Sequence, residues 1–321
     1  MFLNFYYNLP SHIDPIAFSF GSFSVRWYSV MYIVGFATVY FLLIYRVKKG
    51  ETSLISNIKL QISNKTQSPK AKIKNESESQ ITNYELQNSI LDFLLYAFLG
   101  ALVGGRLGYV LFYNLSYYAK NPLAAIFPFD SSGQYIGIYG MSYFGAFIAV
   151  LIAALIFCRK RKFDFWQWGD FVAPAIPAGY FFGRIGNFLN GELYGRITSA
   201  PWGMYFPGDA FAALRHPSQI YEALLEGLLL FLVLWIWRNK AKFSGQLVFM
   251  YAIGYASARF FCEFFRQSDP QSEIFLGELL TLGQLFSLLF IIIALIGYFK
   301  RKSCVILRLE NEINSSDVKR K

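Results

Sequence analysis

Apolar residues fill this chain in long runs, separated by polar stretches in which Lys and Arg collect. A helix needs about 20 apolar residues to cross the hydrocarbon core of a bilayer. Seven runs approach that length: Val25 to Tyr45, Ile90 to Tyr113, Ile138 to Cys158, Gly169 to Leu189, Ile220 to Trp237, Gly245 to Phe265 and Leu282 to Phe299. The pattern predicts an all-α polytopic membrane protein with seven transmembrane helices. The fourth run contains Pro174 and Pro177, which remove backbone donors and break the expected helix.

Charge orients these spans. Arg46, Lys48 and Lys49 follow the first; Arg159, Lys160, Arg161 and Lys162 the third; Arg238, Lys240 and Lys242 the fifth; Lys300, Arg301 and Lys302 the seventh. Basic loops stay cytoplasmic, so the N-terminus is expected outside (periplasmic) and the C-terminus inside. The same placement accounts for a net charge of +10 without nucleic acid as a partner. Composition agrees: 55% of the residues are hydrophobic and 16% charged, unlike a soluble or disordered chain. Three Cys cannot staple 321 residues, and no disulfide is expected. The first span lacks a basic leader and a small-residue cleavage site, and reads as a retained helix rather than a signal peptide. A seven-helix domain over 1–302 is therefore expected. It would carry a polar cytoplasmic insertion at 48–89, a small external subdomain at 190–217, and a polar cytoplasmic tail at 303–321.

Function is sought in the residues that do not suit lipid. An Arg near the middle of a span costs roughly 2.5–3.5 kcal/mol on the insertion scale, so Arg106, Arg184 and Arg259 call for partners. Tyr255, Arg259 and Glu263 are spaced i, i+4, i+8, with Arg266 three residues on, and share one helix face. An Arg259–Glu263 ion pair accounts for two of them and leaves Tyr255 and Arg266 for a ligand. In GALVGGRLGYVLFYN, Gly100, Gly104 and Gly108 form a small-residue face suited to close helix packing, with Arg106 off that face. In GRIGNFLNGELYGR, Arg184, Asn187 and Glu192 lie where a helix gives way to irregular chain. The Arg184 and Asn187 donors suit phosphate or ester oxygens and Glu192 offers an acceptor or counter-ion, which points to an anion or lipid head-group site.

The last of these segments resembles the signature of the prolipoprotein diacylglyceryl transferases, bacterial inner-membrane enzymes that begin lipoprotein maturation. The resemblance extends, in family order, to RWYSVMY (Arg26 to Tyr32), GGRLGYVLFYN (Gly104 to Asn114), GMSYFGA (Gly140 to Ala146), DFVAPAIP (Asp170 to Pro177), RHPSQIYE (Arg215 to Glu222) and GYASARFFCEFFRQSD (Gly254 to Asp269). It implies transfer of the diacylglyceryl group of phosphatidylglycerol to the lipobox cysteine thiol of a preprolipoprotein signal peptide. Glycerol phosphate is released, without metal or cofactor. By motif position it implies catalytic roles for Tyr28, Arg184, Asn187, Glu192, Arg259 and Glu263. Arg184 and Asn187, with Arg106, Gly195, Tyr255 and Arg266, are implied to bind phosphatidylglycerol.

Three positions depart from the pattern. Phe144 and Ala146 stand where the family often has His and Gly, and Arg26 where a His often precedes Trp-Tyr. A general-base His therefore does not carry over. Tyr143, Glu192, Glu263 or no dedicated base remain as alternatives, and His216 reads as a loop-ordering residue. A catalytically impaired, lipid-binding member and a transporter are the rival readings. The absence of an evident inverted repeat counts against the transporter.

Overall fold

The computed structural model describes residues 2–21, 23–51, 75–113, 115–125, 140–267 and 280–318. Most of the expected insertion (52–74), the start of the third run (138–139) and the end of the tail (319–321) lie outside the described residues. The described chain is helical except for one hairpin and a few isolated bridges. After α1 (Phe2–Tyr7) and a 3-10 turn (Leu9–His12), β1 (Ile16–Phe20) pairs antiparallel with β2 (Phe23–Arg26). The all-α architecture holds, with this one hairpin added to it. Alternating IAFSF and FSVR segments joined by a tight turn, in which Gly21 has φ 59°, favour a hairpin over a helix.

The helices that follow are α2 (Trp27–Lys48), α3 (Asn75–Phe112), α4 (Leu115–Lys120), α5 (Tyr143–Arg161), α6 (Phe165–Val172) and α7 (Ile176–Leu189). Next comes a continuous rod, α8 (Ser218–Glu222), a π-helical segment (Ala223–Leu229) and α9 (Leu230–Trp237), then α10 (Gln246–Cys262) and α11 (Leu282–Val318). Among the described residues, five helices are long and apolar enough to cross a membrane: Trp27–Lys48, Tyr84–Phe112, Tyr143–Arg161, Ser218–Trp237 and Leu282–Leu307. The fourth expected run is divided between α6 and α7, with Pro177 in the first turn of α7 where its missing N–H costs nothing. The sixth is the 17-residue α10. Two polar stretches are more ordered than expected. The end of the insertion belongs to α3, with Leu86 and Ser89 buried, and α11 continues past Lys302 without a break.

The chain forms two compact units. In the unit Arg46–Trp168, α3 packs on α5 through the small-residue face. A Cβ on Gly104 would stand 2.1 Å from the Ala149 Cβ, and one on Gly145 2.4 Å from the Gly104 carbonyl oxygen. Ser142 caps α5, its Oγ accepting from the Gly145 N–H. In the other unit, Met1–Tyr45 with Gly169–Lys321, α2 and α7 meet at Gly35 and Gly179, where a Cβ on Gly35 would stand 2.9 Å from the Gly179 carbonyl oxygen. Asp170 is wholly buried at the N-terminus of α10, accepting from the Gly245 N–H at 2.7 Å and the Val248 N–H at 3.0 Å. Outward faces are apolar, with Ile292, Ile293, Ile296 and Phe299 on α11 all more than half exposed. Such a surface suits hydrocarbon as solvent.

Candidate active site

Within the unit Met1–Tyr45 with Gly169–Lys321, three helical segments bring six charged side chains together. α7 contributes Arg184, the α8 rod contributes Glu222 and Glu226, and α10 with its C-terminal continuation contributes Arg259, Glu263 and Arg266. Glu222 is their junction. Its Oε2 lies 2.8 Å from Arg184 Nε and 3.3 Å from an Arg259 terminal nitrogen, and its Oε1 lies 3.9 Å from Arg266 Nε. Arg259 also pairs with Glu263 at 3.2 Å and stands 3.9 Å from Glu226. The expected i,i+4 pair therefore exists as part of a larger network. The glutamate side chains are 0–4% exposed and the arginines 15–20%, so the cations form the accessible side of the cluster.

A polar rim continues from Arg184. Its terminal N–H donates to Asn187 Oδ1 at 3.3 Å, Asn187 Nδ2 donates to Glu192 Oε1 at 2.9 Å, and Gln219 Nε2 donates to the Glu192 carbonyl at 2.7 Å. Arg184 Nε also donates to the Tyr180 hydroxyl at 2.8 Å, and Tyr180 in turn donates to Glu226. Tyr255 places its ring edge-on to Tyr180, centroids 5.7 Å apart. Tyr28 is half-buried at the start of α2, its N–H donating to Asn190 Oδ1 at 3.4 Å and its hydroxyl to Tyr32.

The loop after α7 is tied to the end of α10. Gly191, at φ 67°, turns the chain out of the helix. Gly195 then bridges to Arg266 and donates to the His216 carbonyl at 2.8 Å. A Cβ on Gly195 would stand 2.3 Å from the Phe265 carbonyl oxygen, so no other residue fits without displacing backbone. His216 exchanges backbone hydrogen bonds with Gly195 and Arg196, and burial pushes its imidazole below the ordinary range. Farther along, Arg215 and Asp209 form a buried bidentate pair at 2.6 and 2.8 Å.

Arg184, Asn187, Glu192, Tyr255, Arg259, Glu263 and Arg266 thus fall in one connected network, with Tyr28 and Gly195 on the segments beside it. Arg106 belongs to the other unit. Its guanidinium donates to the carbonyls of Ala125, Ala124 and Gly140 at 2.8, 2.9 and 3.3 Å and lies over the Tyr118 ring. Tyr143 and Phe144, at the start of α5, are exposed in that same unit.

The profile of the family described as prolipoprotein diacylglyceryl transferase matches residues 15–63 and 70–300. The chain belongs to the prolipoprotein diacylglyceryl transferase family. Among similar proteins is the phosphatidylglycerol–prolipoprotein diacylglyceryl transferase of Aliarcobacter butzleri, 42% identical over 306 residues, covering 95% of this chain and 99% of the relative. Proteins of the same name from Chlorobaculum tepidum (42% identical over 294 residues, 90% of each chain) and Wolinella succinogenes (40% over 303 residues, 93% of this chain and 97% of the relative) also match.

Against this family pattern, sequence reasoning missed Tyr180, Glu222 and Glu226. It followed cations that lipid would reject, and RHPSQIYE was noted without singling out its terminal Glu222. The overlooked signal was two carboxylates spaced i,i+4 in an apolar run, as anomalous in hydrocarbon as the arginines. The π-helical segment bearing Glu226 is a further mark, because such bulges concentrate at functional sites.

Proposed function

We propose that the protein transfers the diacylglyceryl group of phosphatidylglycerol to the lipobox cysteine thiol of a preprolipoprotein signal peptide, the first step of lipoprotein maturation. A carbon–sulfur thioether forms at the terminal glyceryl carbon, the carbon–oxygen bond to phosphate breaks, and glycerol phosphate leaves. The peptide supplies the nucleophile, so the protein needs neither a nucleophile of its own nor a metal or cofactor.

The convergence of Arg184 and Arg259 on one carboxylate oxygen carries this reading. Guanidinium groups held that close form a fork for a phosphodiester, and they stabilise the second negative charge that develops as phosphate departs. Glu222 positions both forks, Glu263 positions Arg259, and Glu192 positions Asn187. Asn187 and Tyr28 hold glycerol or phosphate oxygens, Arg266 adds charge at the rim, and Tyr255 lines the approach below. Gly195 ties the rim loop to α10. The carbonyl partners of Arg106 support a structural role for it in its own unit.

The arrangement in the bacterial inner membrane would be seven spans, α6–α7 and α10 included, with the N-terminus and the 190–217 loop outside and the C-terminus cytoplasmic. Incubation of the purified protein with phosphatidylglycerol and a lipobox peptide tests the activity, with mass spectrometry for a thioether-linked adduct. Adduct is expected; lipid binding without adduct would instead indicate a family member lacking catalysis, and solute flux in liposomes with neither would indicate a transporter.

A further inference from the structure

The proton of the attacking thiol has no assigned acceptor, and the His that often serves is replaced by Phe144. We propose that Tyr180 and Glu226 form a proton relay, with Tyr180 taking the thiol proton while passing its own to Glu226. This rests on the transferase reading above and adds the path of the proton to it.

Placement is the first argument. The arginines that would hold phosphate sit at the loop end of their helices, Arg184 in the last turns of α7 and Arg259 at the end of α10. One turn farther from the loop lie Tyr180 (i−4 from Arg184), Tyr255 (i−4 from Arg259) and Glu226 (i+4 from Glu222). Displacement at the glyceryl carbon requires sulfur to arrive opposite the departing phosphate oxygen. With phosphate on the arginines, the incoming thiol stands on the side where this second layer lies.

Bonding within the layer is the second argument. Tyr180 donates to Glu226 Oε2 and accepts from Arg184 Nε at 2.8 Å, so its hydroxyl joins the phosphate fork to the carboxylate. Glu226 is wholly buried, with its Oε1 3.9 Å from an Arg259 terminal nitrogen. The groups facing it are Tyr180 and Arg184 from α7, Arg259 and Cys262 from α10, and Glu222 on its own rod. Three arginines and three glutamates balance in this cluster.

Charge and atoms balance through the step. The S–H bond breaks as its proton goes to Tyr180 oxygen, the Tyr180 proton goes to Glu226, the S–C bond forms and the C–O bond breaks. The phosphate gains the electron pair of that bond and leaves as the dianion. Glu226 then releases its proton through Tyr180 to the phosphate or to water, restoring the resting state.

The test compares two lipobox peptides, one with cysteine and one with selenocysteine, on the full-length protein with phosphatidylglycerol. A free thiol has a pKa of about 8.5 and needs a proton acceptor near neutral pH, whereas a selenol is ionised without one. Glu226→Gln and Tyr180→Phe are expected to slow transfer to the thiol about 10²–10⁴-fold. Transfer to the selenol should stay within about tenfold of the unsubstituted protein. Raising the pH should restore part of the thiol rate in both variants. If a variant loses selenol and thiol transfer equally, through misfolding or a lost phosphate site, or loses neither, the relay is overturned. If the unsubstituted protein modifies neither peptide, the transferase reading itself fails.

Discussion

A single carboxylate, Glu222, holds Arg184 and Arg259 in register, so its removal should do more harm than removal of either partner's charge elsewhere. Breaking a buried ion pair leaves an uncompensated charge and costs about 3–5 kcal/mol. Glu222→Gln should therefore lower the unfolding temperature and also cut kcat by about 10²–10³-fold, the usual loss when a charge-stabilising donor is misplaced. Arg259→Lys keeps the charge but loses the planar fork, and should lose at least about tenfold in kcat/KM for adduct formation while the protein stays folded. Near-normal transfer by Arg184→Ala and Arg259→Ala together would remove the phosphate clamp from consideration.

The Asp209–Arg215 pair makes a separate prediction about pH. Arg215 holds the Asp209 carboxyl down to about 2, below its ordinary value of 3.8. A carboxylate depressed on folding adds stability that is complete above the unfolded value, and the gain disappears as pH falls through the folded one. Arg215→Met should therefore melt below the unsubstituted protein at pH about 7, with the gap closing from about pH 4 towards pH 2. Tryptophan fluorescence melts across that range measure it; a gap independent of pH would assign the loss to packing. At this scale the sequence displayed the three arginines of the described cluster, Arg184, Arg259 and Arg266, because lipid makes a lone Arg conspicuous, and it also drew in Arg106, which lies in the other unit. It concealed Glu222, whose importance lies in how many neighbours it serves.

Among the elements, α10 carries Arg259 and Glu263, and its start is fixed from a distance. Asp170, at the far end of α6, accepts from the first backbone donors of α10, which have no intrahelical partners. Asp170→Ala would strand buried N–H groups, at about 1–3 kcal/mol apiece, and should lower the melting temperature while leaving KM for the peptide little changed in the folded fraction. A large rise in KM with unchanged stability would show that Asp170 acts on the site more directly. The segment DFVAPAIP entered the sequence analysis only as part of the family resemblance, and the structure gives its Asp an anchoring task. The glycine stripe of α3 was legible in full, because spacing alone shows a small-residue face, and Gly104 and Gly145 close it at backbone contact. The start of α3 was not legible. Polar residues up to Ser89 gave no hydrophobic period, yet helix propagates through them once the apolar part has nucleated it.

For the whole molecule, apolar runs disclosed a membrane protein and loop charge gave an expected orientation, while the geometry shows only which helices have the length to cross. Span four is the case where length fails as a guide: two prolines divide it, and irregular backbone beside Arg184 is tolerable only if protein or water covers it. Orientation decides whether the arginine cluster faces the compartment that receives secreted precursors, because Arg184, Glu222 and Arg266 all lie next to the loop 190–217. Single-cysteine labelling separates the two possibilities. Cys158 and Cys262 are buried and Cys304 is exposed, so replacing Cys304 by Ser leaves a quiet background. Ser199→Cys, exposed in the loop, should react with a membrane-impermeant maleimide in spheroplasts. Lys242→Cys, exposed at the basic exit of the α8–α9 rod, should react only after the membrane is opened. The reverse pattern would place the arginines on the cytoplasmic side, where no translocated lipobox could reach them, and the orientation proposed from basic loops would have to be abandoned.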